Sequence, residues 1–565
     1  MKKTIQIIQI FALALLFFKS SAQPQIQIAV QFAGVDTNQI RFLESTGTEI
    51  VIGGISINAG TLNTIPPLMT STNPGADVFI GIVNNLLQSA PCLETDLGIT
   101  ELLSSFGLVE APLQKAVYSG NFSGSFGTSL PLICNQPVCG FLFARNKQCQ
   151  VTNTIKFESN MEFRIFDLAT SPSSDDIYFG GAFTGQTTIG GNSYNAGFDQ
   201  WGILVKYNLT SGISDWQTTL ESIGFLSYDK ITYDQQLDRI YALAKIGNTA
   251  TYNDGSSQTV ISAPSPGNAY ALLEIAASSG ALLDFTTIAS SSLILASGII
   301  KSTSGIYVAL NSFFSTIFPD ATNPFFSIPG NGGVDIDVLR YDLTLTYQGN
   351  RKIGTAKEDF STRFRELKPN RFVLLGYEFK DTRVNSSQTE SLPITAQATM
   401  FFLDNNLNLL DSIITGGKGF DTFFDADIDS LGNLYACGMF SDTTDLDPDT
   451  TSVYQMISTG SFDGFIAKYD ISYLVGTGKY NAEENFAKVF PNPASDKLHI
   501  NIHSKKTGHI LIQMLNSHGK EIYEVAFTDS RNLKHSFNCS GLSPGIYFLK
   551  VIVNDKSTVR KIIKI

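Results

Sequence analysis

One motif recurs through this chain, with successive starts 66, 61, 63, 66, 66 and 62 residues apart, and nothing else in the sequence constrains the fold as tightly. Its clearest copy is Asp176-Ile-Tyr-Phe-Gly-Gly-Ala-Phe-Thr-Gly185, followed by Asp199-Gln-Trp-Gly-Ile-Leu-Val-Lys-Tyr-Asn208. Apolar and aromatic residues fill the first run as in a β-strand, and Gly180 and Gly181 interrupt it where a strand bends or bulges. First runs begin at Ile50, Ala116, Ile177, Ile240, Ile306, Phe372 and Leu434, and second runs at Asp77, Cys139, Asp199, Ala269, Val334, Thr399 and Asp463. Two further alternating runs separate one copy from the next, as in Asp215–Leu220 and Lys230–Tyr233 or Leu410–Ile414 and Phe424–Ile428. Each repeat is therefore expected to hold four short strands. A lone four-stranded sheet of this length cannot bury both faces, whereas sheets set face against face around an axis can. The expected fold is all-β: a seven-bladed β-propeller over residues 23–470, with Ile26–Phe32 supplying the missing strand of the first blade.

Composition agrees with a β-rich extracellular chain, since charged residues are only 16% and the aromatics are mostly Phe and Tyr. The net charge of −12 is unevenly spread: twelve Lys/Arg against seven Asp/Glu follow Asn481, and Lys2, Lys3 and Lys19 open the chain. The acidic body between them argues against nucleic acid and anionic lipid as partners.

Residues 1–22 read as a secretory signal peptide: Lys2 and Lys3, an apolar run from Ile5 to Phe18, then Ser20-Ser-Ala22 before the expected cleavage. The alternative is an uncleaved anchor. No later apolar run has the length of a spanning helix, so no transmembrane segment is expected in the mature chain.

Six cysteines suit an exported chain that keeps disulfides. Cys134 and Cys139 bracket a small loop turned by Pro137, which makes them a candidate pair and leaves Cys92 with Cys149. Their irregular spacing argues against a zinc site. Cys437 and Cys539 read as buried small apolar residues.

All five histidines (His499, His503, His509, His518 and His535) lie in the last part of the chain. The repeats therefore have no Ser-His-Asp or Cys-His site and no His-ligated metal. Carboxylate pairs remain as acid–base chemistry, as in glycoside cleavage. No pairing is recognisable, no sialidase-type Asp-box occurs, and Trp201 and Trp216 are a thin platform for sugars. No catalytic residue is assigned and no cofactor is expected. Two acidic clusters invite calcium: Asp442 to Asp449, and Asp425-Ala-Asp427-Ile-Asp429. The second lacks the sixth-position Gly and twelfth-position Glu of a calcium loop. A solvated loop and a solvent-facing strand are the expected alternatives, with no bound metal.

After Asp470 a linker, 471–488, precedes a basic, β-rich segment in which six or seven short strands are expected to form a small Ig-like sandwich over 489–565.

Two resemblances add to this reading. Gly438-Met-Phe440 and Asp463-Gly-Phe-Ile-Ala-Lys-Tyr-Asp470 resemble the secreted bacterial β-propeller repeat, while the middle copies lack its Gly-Gly and Lys-Tyr. The last segment resembles the type A C-terminal sorting domain of the type IX secretion system of Bacteroidetes. The matching residues are Pro491, Asn492, Pro493 and Asp496; Gly519; Gly545 and Tyr547; and Lys561 and Lys564 of the final Lys-Ile-Ile-Lys. The resemblance implies the type IX machinery as a partner, passage across the outer membrane, and removal of the domain with release or surface attachment.

The function expected is a non-catalytic binding or adhesion module for an extracellular protein or glycan. The alternatives are a polysaccharide-active enzyme using loop carboxylates and a structural surface scaffold. The long loops Ile55–Ala76 and Ser312–Gly333 are candidate contact sites. Three or more Asp/Glu in one central pocket would favour the enzyme, and a channel lined by Phe, Thr and Ser would favour binding.

Overall fold

A computed structural model describes residues 24–34, 36–46, 49–57, 60–62, 68–69, 76–95, 100–109, 115–126, 132–146, 150–263, 268–320, 327–330, 333–355, 357–380, 395–449, 453–471, 474, 487–516, 521–553 and 556–564. The candidate signal peptide and most of the linker lie outside the described residues. Among the described residues every regular element is a strand. The chain divides into two compact units, 1–477 and 478–565.

Among the described residues the main strands of the first unit fall into seven antiparallel groups of four, called sheets 1 to 7 here; a parallel bridge between Val138 and Glu162 links sheets 2 and 3 into one longer sheet, and short hairpins extend others. Sheet 1 holds Asn38–Ser45, Glu49–Ile57, Ala76–Asn84 and Ser89–Thr95, and sheet 2 holds Thr100–Val109, Lys115–Phe126, Leu132–Arg145 and Val151–Phe157. Sheet 3 is Glu162–Thr170, Asp176–Thr184, Trp201–Asn208 and Ile213–Glu221, and sheet 4 is Ser227–Asp234, Arg239–Lys245, Asn268–Ala276 and Leu282–Ser290. Sheet 5 is Ile294–Ser302, Gly305–Phe313, Val334–Tyr341 and Tyr347–Ile353, and sheet 6 is Asp359–Lys368, Arg371–Phe379, Ala396–Asp404 and Leu409–Thr415. Sheet 7 combines Asp421–Ile428, Asn433–Phe440 and Asp463–Asp470 with Gln25–Gly34 from the far end of the unit.

That last pairing corrects the expectation for Ile26–Phe32. This run completes the seventh sheet rather than the first, whose own first strand, Asn38–Ser45, lies just before the recognisable motif.

The first strand of each sheet packs against the first strand of the next, and Asp421–Ile428 packs against Asn38–Ser45. Seven separate apolar layers fill the spaces between consecutive sheets, sheets 7 and 1 included. Hairpins from the second connection of one sheet extend the outer strand of the sheet before it: Gly60–Leu62 on Gln25–Gly34, Thr249–Asn253 on Ile213–Glu221, and Ile317–Phe318 on Leu282–Ser290. This covers part of an edge that would otherwise present free backbone groups.

Every first strand carries a register shift at the same place, after Ile40, Leu103, Ile165, Tyr228, Ala296, Ser361 and Phe423. The extra residue kinks the strand and raises its twist. Opposite the shift stand Gly54, Gly120, Gly181, Ala244, Leu310, Gly376 and Gly438. A Cβ on Gly54, Gly181, Gly376 or Gly438 would fall on a carbonyl oxygen of the bulged strand, of Gln39, Arg164, Phe360 or Thr422 respectively. The glycines of the motif thus serve a bulge on their partner strand.

Other motif residues also have local reasons. Asp199, just before the third strand of sheet 3, and Asp463, which opens that of sheet 7, accept from the backbone N–H of Gly224 (3.1 Å), just past the outer strand, and of Gly34 (3.3 Å), its last residue. The buried Tyr469 donates to the Leu446 carbonyl at 3.1 Å. Asn208 closes the following turn by accepting from Thr210 N (3.1 Å) and Ser211 N (2.9 Å).

Among the described residues the second unit has five strands rather than the six or seven short ones expected: Ala487–Phe490, Lys497–Leu515, Glu521–Asn538, Gly545–Val553 and Lys556–Lys564. Two of them are long and paired with each other almost throughout, so runs read as separate strands are halves of one. Their apolar faces enclose Leu498, Ile500, Ile512, Met514, Leu549, Val551 and Cys539.

Candidate functional site

The residues that follow the bulges line a cavity of about 290 Å³ between the first strands. Asp167, Lys230, Gly298 and Arg363 occupy the position just after the shift in sheets 3 to 6. Glu44, Lys301, Arg365, Glu366 and Asp427 complete its charged lining, and Thr232 and Ser297 add hydroxyls.

Arg365 is the hub of one side. It comes from sheet 6, its Nη2 meets Glu44 Oε2 of sheet 1 at 2.7 Å, and its Nε lies 3.5 Å from Asp425 Oδ1 of sheet 7. Its Nη1 donates to the Leu43 (3.1 Å) and Ala426 (3.3 Å) carbonyls. Burial opposes its charge, but Asp425, Glu44 and Asp427 outweigh this and hold the guanidinium pKa above its ordinary value. Asp425, fully buried, accepts from Leu43 N at 3.2 Å and lies 3.6 Å from Arg363 Nε. Asp427 accepts from Ser45 N and Ile428 N, each at 2.8 Å. Burial pushes its carboxyl up to about 7; Arg365 opposes the rise and Glu44 adds to it.

The other carboxylates are similarly engaged. Asp167 accepts from Ile231 N of the next sheet at 3.0 Å. Glu366 accepts from the Ser302 hydroxyl (2.6 Å) and Asn370 N (2.7 Å). Lys301 pairs with the buried Asp234 at 2.6 Å.

Four carboxylates in one cavity meet the condition that favours an enzyme. Each of them also acts as an acceptor for backbone, hydroxyl or guanidinium groups that join neighbouring strands. The sequence reading missed Glu44, Asp167, Lys230, Arg363 and Arg365. A signal existed, since Asp167, Lys230, Arg363 and Asp425 stand nine or ten residues before Ile177, Ile240, Phe372 and Leu434.

Asp425 and Asp429 are buried, which corrects the expectation of a solvent-facing side for that run. In the other acidic cluster, Asp445 accepts from Asp447 N (3.1 Å) and Tyr454 N (2.8 Å), and Asp447 from Asp449 N (2.9 Å), so these side chains shape a turn. Among the described residues no group of three or more His, Cys, Asp or Glu is placed to hold a metal ion.

Cys134 and Cys139 form a disulfide, with Cα atoms 5.9 Å apart, within one strand of sheet 2. Cys149 lies outside the described residues, as does much of Ile55–Ala76 and part of Ser312–Gly333. Cys437 and Cys539 are free and buried.

In the second unit the Pro491–Pro493 turn is tied to the last strand. Asn492 Oδ1 accepts from Ile563 N, and Ala494 N donates to the Ile563 carbonyl, both at 2.8 Å. The Asp496 carbonyl accepts from Cys539 N at 2.7 Å, and the Tyr547 hydroxyl donates to the Ser543 carbonyl at 2.9 Å. Gly545 pairs with Lys564 and the backbone of Lys561 with Phe548, while Gly519 lies outside the described residues.

Residues 488–565 match the secretion system C-terminal sorting domain family. This tail is the mark of the type IX route and indicates export to the cell surface or secretion. No helix among the described residues is long and apolar enough to cross a membrane. No curated protein matches the chain. Among solved structures, the extracellular domain of a hybrid two-component system from B. thetaiotaomicron is 10% identical, covering 95% of this chain and 99% of its own, with a TM-score of 0.17. The extracellular region of plexin A4 is 8% identical over 94% of this chain and 66% of its own, with a TM-score of 0.28. Overlap at that level fixes neither fold nor function.

Proposed function

We propose that the seven sheets are the blades of a β-propeller, and that the chain is a non-catalytic module which binds a protein or glycan outside the cell. In this reading residues 1–22 are a signal peptide, 23–470 the propeller, 471–488 a linker and 489–565 the type IX sorting domain. Pro491, Asn492, Pro493, Asp496, Gly519, Gly545, Tyr547, Lys561 and Lys564 would present the domain to the secretion machinery. The observation that carries the binding reading is that each of the cavity's carboxylates is engaged in a tie between strands. The test is a glycan and protein array probed with the mature chain, beside a hydrolysis assay on the same polysaccharides. Binding without turnover supports the module; turnover without retained binding defeats it.

A second reading rests on Asp427. A carboxyl raised to about 7 beside a second acid, Glu44, is the arrangement of an acid–base pair. Loss of a detected hydrolysis in both Asp427→Asn and Glu44→Gln would install it in place of the first.

A further inference from the structure

The cavity has unequal bonding capacity. All four of its carboxylates accept hydrogen bonds or ion pairs from the protein. Two of its cations are held tightly, Lys301 by Asp234 at 2.6 Å and Arg365 by Glu44 at 2.7 Å. The other two are not. Among the described residues, no acceptor lies within bonding range of the Lys230 ammonium, although Lys230 lines the cavity. Arg363 comes closest to Asp425 through Nε at 3.6 Å, beyond hydrogen-bond range, and lies over the Phe42 ring at 5.6 Å, so no hydrogen bond engages its terminal nitrogens among the described residues. Lys230 and Arg363 stand on either side of the first strand of sheet 5, whose cavity-facing stretch Ser297–Ile300 carries no ionisable group.

We propose that this cavity binds a carboxylate-bearing ligand, whose oxyanion is held by Lys230 and Arg363. The inference deepens the binding reading by naming the ligand's chemistry. A partly buried ammonium and a guanidinium with free donors are what a carboxylate needs to replace its water. At about 290 Å³ the cavity sits near the lower limit for small-molecule sites, so it takes one ring-sized group, such as a sugar acid or the end of a peptide, and not a whole polymer.

The test is calorimetric titration of the mature chain with glucuronate, with an acetylated dipeptide bearing a free carboxylate, and with glucose as the neutral match to glucuronate. Binding of either acid but not of glucose is expected. Lys230→Gln and Arg363→Gln are each expected to weaken it at least about tenfold, the size of one lost charge-assisted contact. Thermal melts of the variants establish that they fold, and Lys230→Met serves as a second variant at the first position. The stronger of the two acids identifies the source of the carboxylate. Equal binding of glucose and glucuronate, unchanged affinity in folded Lys230→Gln, or no binding of either acid overturns the proposal. If neutral ligands alone bind on the array, the module survives without its oxyanion site; if nothing binds and a polysaccharide is cleaved, the module reading itself falls.

Discussion

The joint of sheets 6, 7 and 1 and the joint of sheets 5 and 6 differ in how far they rely on charge. Where sheets 6, 7 and 1 meet, residues from opposite ends of the unit converge: Arg365 on Glu44, Asp425 on Leu43 and Asp427 on Ser45. The ties there are ionic, and all three bulges face glycine (Gly376, Gly438 and Gly54). Between sheets 5 and 6 neutral groups make most of the ties, beside the Glu366 carboxylate on the Ser302 hydroxyl. Asn311 Oδ1 accepts from Ser361 N at 2.7 Å, its Nδ2 donates to the Ser361 carbonyl at 2.9 Å, and Ser361 reaches Ser297 at 2.5 Å. The bulges of sheets 4 and 5 face Ala244 and Leu310. Consecutive sheets are brought together by a short connection, whereas the closing joint must hold strands separated by more than three hundred residues. Charge is densest where the chain itself gives no help, although the Lys301–Asp234 pair also ties the consecutive sheets 4 and 5.

Removing the charge should therefore break the closing joint first. Arg365→Met leaves Glu44 and Asp427 without their cation and Asp425 with Arg363 alone, and breaking a buried pair costs about 3–5 kcal/mol. Both tryptophans, Trp201 and Trp216, lie in sheet 3, so fluorescence-detected melting reports the first unit alone. A loss under about 1 kcal/mol would mean that the cluster is no clamp.

The glycines give the next contrast. Gly438→Val drives a side chain into the Thr422 carbonyl and the Phe465 ring, with a loss of about 3 kcal/mol. Ala244→Gly, at the matching place in sheet 4, only removes a methyl and loosens the strand, for about 1 kcal/mol. Equal losses at the two positions would show that the close approach in sheet 7 has no energetic weight.

At the neutral joint, Asn311→Ala leaves the Ser361 N–H and carbonyl buried without that partner, a loss of about 2 kcal/mol. The effect should be smaller than that of Arg365→Met and should not change with salt. A salt-dependent loss would place an ionic contribution in a contact that Asn311 and Ser361 make through neutral groups alone.

These contrasts also mark what was legible in the sequence. The repeat, the four strands per copy and the order of the sheets follow from short apolar runs at a fixed spacing, because the inner strands are covered on both faces and read as continuous apolar stretches. The glycines announced a bulge but not which strand carried it; Gly181 is opposite the bulge, which falls after Ile165. Gln25–Gly34 reads as a strand, yet its partner is more than four hundred residues away, and no local pattern specifies such a pairing. The charged lining escaped because Asp167, Lys230 and Arg363 are chemically unlike one another. Position in the repeat, not residue type, is what they share. In the second unit, Asn492 is tied to Ile563, so the turn motif and the chain end are one structural feature that the sequence presents as two.

The two joints should also differ in their response to pH. Asp427 titrates at about 7 in the folded chain against an ordinary 3.8, so the folded form holds its proton more tightly than the unfolded one. Its contribution to stability is full below about pH 4, falls as pH rises through 7, and is gone above that. Asp421, raised by burial to about 6, adds a fall that ends earlier. Asp427→Asn cannot ionise and keeps an oxygen for Ser45 N. Its melting temperature should accordingly stop falling near pH 6, while the parent continues to fall to about 7; at pH 8 the variant should be the more stable of the two. Asn311→Ala, which touches no titrating group, should shift the whole curve down and leave its shape alone. Parallel curves for Asp427→Asn and the parent between pH 6 and 7 would mean that the closing joint holds its carboxylates ionised throughout, and that Arg365 balances all three.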